Sequence, residues 1–155
     1  MNETDLTHLR RCIDLAAAAV DAGDQPYGSV LVSADGAVLA ERRNEVVTTG
    51  DVTAHPELAL ASWASRHLDP DERAGATVYT SGEHCAMCAT AHVKAGIGRL
   101  VYVLSAPMIA ELDSGDGPTI GLRVHDVVAA SNVEVVLEGP CPELAGEATA
   151  LFGTC

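Results

Sequence analysis

The sequence predicts an α/β fold, a sheet covered by helices on both faces. Three observations lead there. Amphipathic helical segments alternate along the chain with short apolar strand-like runs, the pattern of a sheet buried on both sides. Of the 155 residues, 48% are hydrophobic and only 20% charged, enough apolar surface for one domain over residues 1–155. No apolar run approaches the roughly 20 residues that a membrane-spanning helix needs.

Each element has its own local signal. Leu6, Leu9, Ile13, Ala16, Ala17 and Val20 fall on one helical stripe, so a helix is predicted over Thr7 to Ala22, stopped by Gly23. Two strands, Tyr27 to Val32 and Ala37 to Glu41, flank the hairpin turn Ala34-Asp35-Gly36. A second helix runs from Pro56 to His67, with proline suited to its first position. Leu68 to Glu72 reads as a turn, Thr77 to Thr80 as a buried strand, and Cys85 to Ala95 as a helix closed by Gly96. Leu100 to Leu104 is a strand and Ala106 to Leu112 a short helix; 113–118 is loop. A helix over Val124 to Ala130, a strand over Val133 to Leu137 and a closing helix over Glu143 to Phe152 complete the chain.

Nine Lys and Arg against 22 Asp and Glu leave a net charge of −13. Lys94 is the only lysine, and the pairs Arg10-Arg11 and Arg42-Arg43 lie far apart. Binding a polynucleotide needs a basic face that displaces counterions from phosphates, so no nucleic-acid partner is expected. The polar, acidic start Met1-Asn2-Glu3-Thr4-Asp5 has neither a signal-peptide nor a transit-peptide pattern, and a cytoplasmic protein is expected. Five cysteines is an odd number, unlike a disulfide scaffold. Cys12, Cys141 and Cys155 are isolated and read as small buried hydrophobes or idle thiols.

Cys85 and Cys88 form a C-x-x-C, and upstream stands His55-Pro56-Glu57. Two cysteines three apart at a helix start lie on one face, where exposed amides favour the thiolate form. His55 opens another helix and is the candidate third ligand. Three protein ligands leave tetrahedral zinc an open fourth position, the catalytic arrangement. At a helix start His55 is not yet helical, so Glu57 can reach the same cavity and serve as the base that takes a water proton. A C-x-x-C by itself is equally a redox pair or half of a structural zinc site. No second C-x-x-C completes a four-thiolate site, and a redox pair leaves His-x-Glu unexplained.

Together these residues resemble the zinc-dependent cytidine and deoxycytidylate deaminase superfamily, whose pattern is H-x-E followed by P-C-x-x-C. Gln25 to Val32 is similar to the P-[FVY]-G-[AS]-V stretch of its guanine deaminase and tRNA adenosine deaminase branch, and Asp51 to Glu57 to that branch's D-P-T-A-H-A-E. Gly82 to Cys88 is similar to E-P-C-x-M-C, and Ile97 to Tyr102 to I-x-R-V-V-[FY]. The resemblance covers residues 7 to 104 and implies a three-layer α/β/α fold with a mixed five-stranded sheet. It implies zinc held by His55, Cys85 and Cys88, with Glu57 as proton shuttle. Asn44 takes the place of a base-recognising amide, against the plain alternative of an Asn in a turn.

Two departures bear on the substrate. Pro56 stands where Ala is commoner and has no N–H to offer a ring carbonyl. His84 stands where proline precedes the first cysteine, and it either lines the pocket or sits outside it. The resemblance implies that an aromatic of the C-terminal segment closes the pocket, a role open to Phe152. Glu143, Glu147 and Asp116 are candidates for reading ring nitrogens, though a solvated acidic face explains them better. His8, His67, His92 and His125 read as surface or packing residues, and Trp63 as core. The reading is a zinc-dependent aminohydrolase acting on a free heterocyclic base, guanine or a related aminopurine first. Cytosine-type or triazine bases and nucleosides are the alternatives, and a non-catalytic zinc-fold binding protein is the alternative of another class. The resemblance further implies a homodimer.

Overall fold

A computed structural model describes residues 1–113 and 117–154; Asp116 and Cys155 lie outside the described residues. The first helix, α1, spans Glu3–Asp21 and so begins four residues before the predicted Thr7. The reason is a capping box: the Asn2 side chain accepts from the Asp5 N–H while the Asp5 carboxylate accepts from the Asn2 N–H. Two strands come next, β1 (Gly28–Val32) and β2 (Val38–Arg43), paired antiparallel through the expected turn, where Gly36 takes φ +89°. After β2 a short helix, α2 (Val46–Thr49), precedes α3 (Pro56–His67). The segment read as a turn after α3 instead starts another helix, α4 (Pro70–Gly75), because Asp69 and Glu72 form a second capping box.

The remaining elements are β3 (Thr77–Gly82), α5 (Ala86–Ala95), β4 (Arg99–Leu104), α6 (Ala106–Leu112), α7 (Val124–Ala129), β5 (Val136–Glu138) and α8 (Pro142–Ala150). A 3₁₀ turn over Leu151–Thr154 ends the described chain. The last strand is shorter than the predicted Val133 to Leu137 and lies at the sheet edge with Val136 exposed.

The sheet has the order β2-β1-β3-β4-β5, with β1 antiparallel to both neighbours and β3, β4 and β5 parallel. Alternation along the strands divides the core in two. Leu31, Val78, Leu100 and Tyr102 join Leu60, Ala64 and Ala89 of α3 and α5 on one face. Val30, Val32, Tyr79, Val101 and Val103 join Leu9, Ile13, Leu144 and Ala148 of α1 and α8 on the other. This is the expected mixed five-stranded sheet between helical layers. Cys12 and Cys141 are fully buried, and Trp63 packs at the edge of the core, stacked on His67 with ring centroids 4.4 Å apart. No helix of the described residues is long and apolar enough to cross a membrane.

Two features of this frame are testable. Helix α1 lies so close to β1 that a Cβ at Gly28 would meet the Cys12 carbonyl, stand 2.5 Å from Leu15 Cβ and 2.6 Å from the Ala16 nitrogen. Gly28→Ala is therefore expected to cost about 1–3 kcal/mol, read from the urea unfolding midpoint. The second is Asp5, buried beneath α1. Arg99 donates to it at 2.9 Å and the Tyr79 hydroxyl at 2.8 Å. Burial opposes its charge, but Arg99, the Asn2 N–H that donates to the Asp5 carboxylate and Tyr79 outweigh it, so Asp5 titrates at about 2 instead of 3.8. Its contribution is complete above 3.8 and fades as pH falls through about 2. Asp5→Asn is expected to be less stable at neutral pH and to lose less stability over that acid interval, measured by unfolding at stepped pH.

Candidate active site

Two helix starts converge on one side of the sheet. His55 is the N-cap of α3 and Cys85 the N-cap of α5, both in extended backbone, so their side chains leave the helix axis before the first turn. Pro56 occupies the first helical turn, where a missing N–H costs nothing. Cys88 lies one turn into α5 and is buried. The His55 Nδ1 stands 3.8 Å from Cys85 Sγ and 3.6 Å from Cys88 Sγ, and the three candidate ligand atoms all lie within 4.8 Å of one another. Tetrahedral zinc bonds to nitrogen and sulfur span an N···S edge of about 3.6 Å, so the donor set fits that ion.

The thiols are already polarised for such a role. The Cys88 thiol donates to the Cys85 sulfur, and with the His55 ring and the Cys88 N–H adding to it, Cys85 is brought down to about 4 although burial opposes its ionisation. Cys88, as donor in that pair and a buried group, is held far up. The same contact with Cys85 raises His55.

Glu57 is buried beside them, its Oε2 3.7 Å from Cys88 Sγ. Its Oε1 accepts from the Thr80 hydroxyl at 3.0 Å, and Ser29 Oγ lies 3.3 Å away. Ser29 and Thr80 are register partners across β1 and β3, with Ser29 donating to Thr80 at 2.9 Å. One hydroxyl relay thus anchors Oε1 and leaves Oε2 toward the candidate ligands. Burial pushes the Glu57 carboxyl above its ordinary range, opposed by its own N–H, His55 and Thr80.

A cavity of about 390 Å³ opens over these groups, lined by His55, Glu57 and Cys85. Tyr27, Ile109, Ile120 and Leu122 supply apolar walls, and Gln25 and His84 polar ones. No Lys or Arg among the described residues lines it. His84 therefore belongs to the pocket. It is 2% exposed, its ring meets that of His92 edge-on with centroids 5.2 Å apart, and its Nδ1 has no partner. Burial, with His92 and His55 nearby, keeps His84 neutral, far below the usual histidine range.

The other expected residues are placed differently. Asn44 is fully buried; its Oδ1 accepts from the Val46 N–H at 3.0 Å, and its Nδ2 is unpartnered. It does not line the cavity, but its N–H donates to the carbonyl of Tyr27, which does. Phe152 also stands outside the cavity, meeting Tyr27 edge-on at 5.9 Å and lining an adjoining hollow of about 320 Å³ with Val47 and Leu112. Glu143 and Glu147 are exposed. Sequence reasoning missed Ser29 and Thr80; the signal for Ser29 is a hydroxyl inside the otherwise apolar β1, while Thr80 is one of several hydroxyls in β3. It also gave no role to Glu83, buried at the cavity edge, although Glu83 falls on the first residue of the E-P-C-x-M-C pattern; its pairing with Arg123 at 2.7 Å is one that no local pattern announces.

This fold and donor set define a zinc-site deaminase. The family model for the cytidine and deoxycytidylate deaminase zinc-binding region matches residues 2–104, and the chain belongs to that family. A probable cytosine deaminase of Schizosaccharomyces pombe is 32% identical over 142 residues, covering 90% of this chain and 86% of that protein. A tRNA-specific adenosine deaminase of Agrobacterium fabrum is 38% identical over 100 residues, 64% of this chain and 65% of that protein. The structure of guanine deaminase from Bacillus subtilis superposes with a TM-score of 0.62 at 28% identity, covering 94% of this chain and 91% of that one. Metal analysis of purified variants is expected to show about one zinc per chain in the native protein and in Glu57→Ala, and little in His55→Ala or Cys85→Ala.

Proposed function

We propose that this protein is a zinc-dependent aminohydrolase that converts a free heterocyclic base to the oxo-base and ammonia. Guanine or a related aminopurine is the first substrate, and a homodimer in the cytoplasm is the working form. The reading is carried by one juxtaposition: a buried carboxylate, Glu57, facing a two-cysteine, one-histidine donor set inside a cavity without a lining cation. A phosphorylated substrate would bring two negative charges to a pocket whose ionisable lining includes Glu57 and Glu83, which disfavours nucleotides. The net charge of −13 likewise disfavours an RNA substrate.

His55, Cys85 and Cys88 would hold the zinc, which when bound polarises water so that it attacks at neutral pH. Glu57 does the proton work. Its Oε2, 3.7 Å from Cys88 Sγ, is the oxygen that faces the donor set, since Oε1 is committed to Thr80. It takes one proton from the attacking water and returns it to the amino nitrogen as the carbon–nitrogen bond breaks. The electron pair leaves with the nitrogen, and ammonia and the oxo-base result. A carboxyl whose affinity for protons is raised by burial suits a group that must hold one between the two steps.

Tyr27, Ile109 and Leu122 give a flat ring apolar contact, while His84 and Gln25 offer hydrogen bonds to its edge. Pro56 offers none, having no N–H between the ligand and the base. The Asn44 amide, buried with Nδ2 unpartnered, is the base-recognition group. A second reading, a cytosine-type substrate, is favoured by the near full-length match to the S. pombe protein. A binding-only protein would have no use for Glu57.

Ammonia release by zinc-quantified protein, across guanine, isoguanine, adenine, cytosine, a triazine and the matching nucleosides, is expected from one free base. Release only from nucleosides, or from none, would refute the substrate assignment. Glu57→Ala is expected to lower kcat by roughly 10²-fold or more with zinc retained, and Asn44→Ala to raise KM. Full turnover by the Glu57 variant would sink the mechanism.

A further inference from the structure

Beyond the metal loop the cavity has a wall built from a part of the chain that the family model does not match. Residues 117–122 are all exposed, and among the described residues no backbone hydrogen bond ties them to another element. Yet Ile120 and Leu122, 69% and 54% exposed, line the cavity opposite the metal loop's own Glu83, His84 and Cys85. An exposed, unbonded run has no intrinsic reason to hold one position. The two residues after it are anchored. Arg123 is the N-cap of α7, its N–H donating to Asp126 at 2.9 Å, and Val124 is buried in the core.

The Arg123 guanidinium reaches back to Glu83 and donates twice, Nε to Oε1 at 3.1 Å and Nη2 to Oε2 at 2.7 Å. The Glu83 side chain is fully buried, and its Oε2 also accepts from the Ala106 N–H at 2.8 Å. That one carboxylate therefore joins three pieces: the loop that carries Cys85, the start of α6 and the segment before α7. A forked guanidinium on a carboxylate fixes orientation as well as distance. The pair also explains why an arginine so near the cavity leaves it without a free cation.

We infer that the Glu83–Arg123 pair is a positioning strap that holds residues 119–123 against the metal loop as a wall of the substrate pocket. Arg123 acts on substrate only through Ile120 and Leu122. The wall's effect on substrate rests on the deaminase reading proposed above; the strap itself does not.

The test is backbone order in the zinc-loaded, full-length protein, read from amide ¹⁵N relaxation. Residues 119–123 are expected to be ordered in the native chain, with order parameters near about 0.85, and to fall below about 0.6 in Arg123→Met. That variant leaves a buried carboxylate unpaired and so risks the fold. Glu83→Gln combined with Arg123→Met removes the charge and keeps an acceptor for the Ala106 N–H, and it should show the same local loss with α5 and zinc content unchanged. Arg123→Lys should restore part of the order. Native values already below about 0.6, or a double variant as ordered as the native chain, would overturn the strap. With the base that the enzyme deaminates, Arg123→Met should raise KM severalfold and leave kcat nearly unchanged; a fall in kcat at constant KM would overturn the wall's role. A panel with no turnover would refute the deaminase reading alone, and the relaxation comparison would still decide the strap.

Discussion

Everything at the site depends on the side-by-side packing of α3 and α5 against one face of the sheet. Their starting turns come together because β2 and β3 both run antiparallel to β1, which brings the ends of β2 and β3 beside the beginning of β1 and leaves both helix starts at that same end. Each helix opens with an extended residue whose side chain is a metal donor, His55 on one and Cys85 on the other. A ligand at an N-cap is free of the helix's own crowding and sits beside unsatisfied N–H groups that favour an anionic sulfur. The sheet thus sets the distance between two donors 30 residues apart.

A buried carboxylate beside sulfur donors is expensive unless something polar holds it. Here the cost is met by the sheet itself. Ser29 of β1 and Thr80 of β3 stand at paired register positions and place their hydroxyls under Glu57. They fasten one carboxylate oxygen and so leave the other on the side of the candidate ligands. Elsewhere most of the acidic surplus of the chain lies on the surface, while Arg99 is committed to Asp5 and Glu138 and Arg123 to Glu83. The cavity is left mainly apolar, with hydrogen-bonding groups such as Gln25 and His84 on its wall.

The pocket is shaped both by the part of the chain that resembles known deaminases, through Gln25, Tyr27 and His84, and by the part beyond it. Residues 2–104 carry the candidate metal donors and Glu57 beside them. Ile109, Ile120 and Leu122 come from beyond them, as does Phe152 against Tyr27. The two parts of the cavity wall are joined where Glu83 grips Arg123.

The sequence by itself determined the α/β class, the helix starts at Pro56 and Cys85, and the His55, Glu57, Cys85 and Cys88 constellation. Those signals are local: hydrophobic period, a proline at a first turn, cysteines one turn apart. It was less informative where capping chemistry competed with turn composition, so α1 begins at Glu3 and the segment after Asp69 is a helix. Tertiary structure alone decided the rest. That Ser29 would meet Thr80, that His84 would face the cavity with an unpartnered nitrogen, that Asn44 would lie behind Tyr27's backbone rather than in the lining, and that Glu83 would pair with Arg123 all depend on strand register and on loops packing together. Contacts between residues tens of positions apart leave no periodic trace in a single sequence, because the geometry that creates them belongs to the sheet and not to either segment.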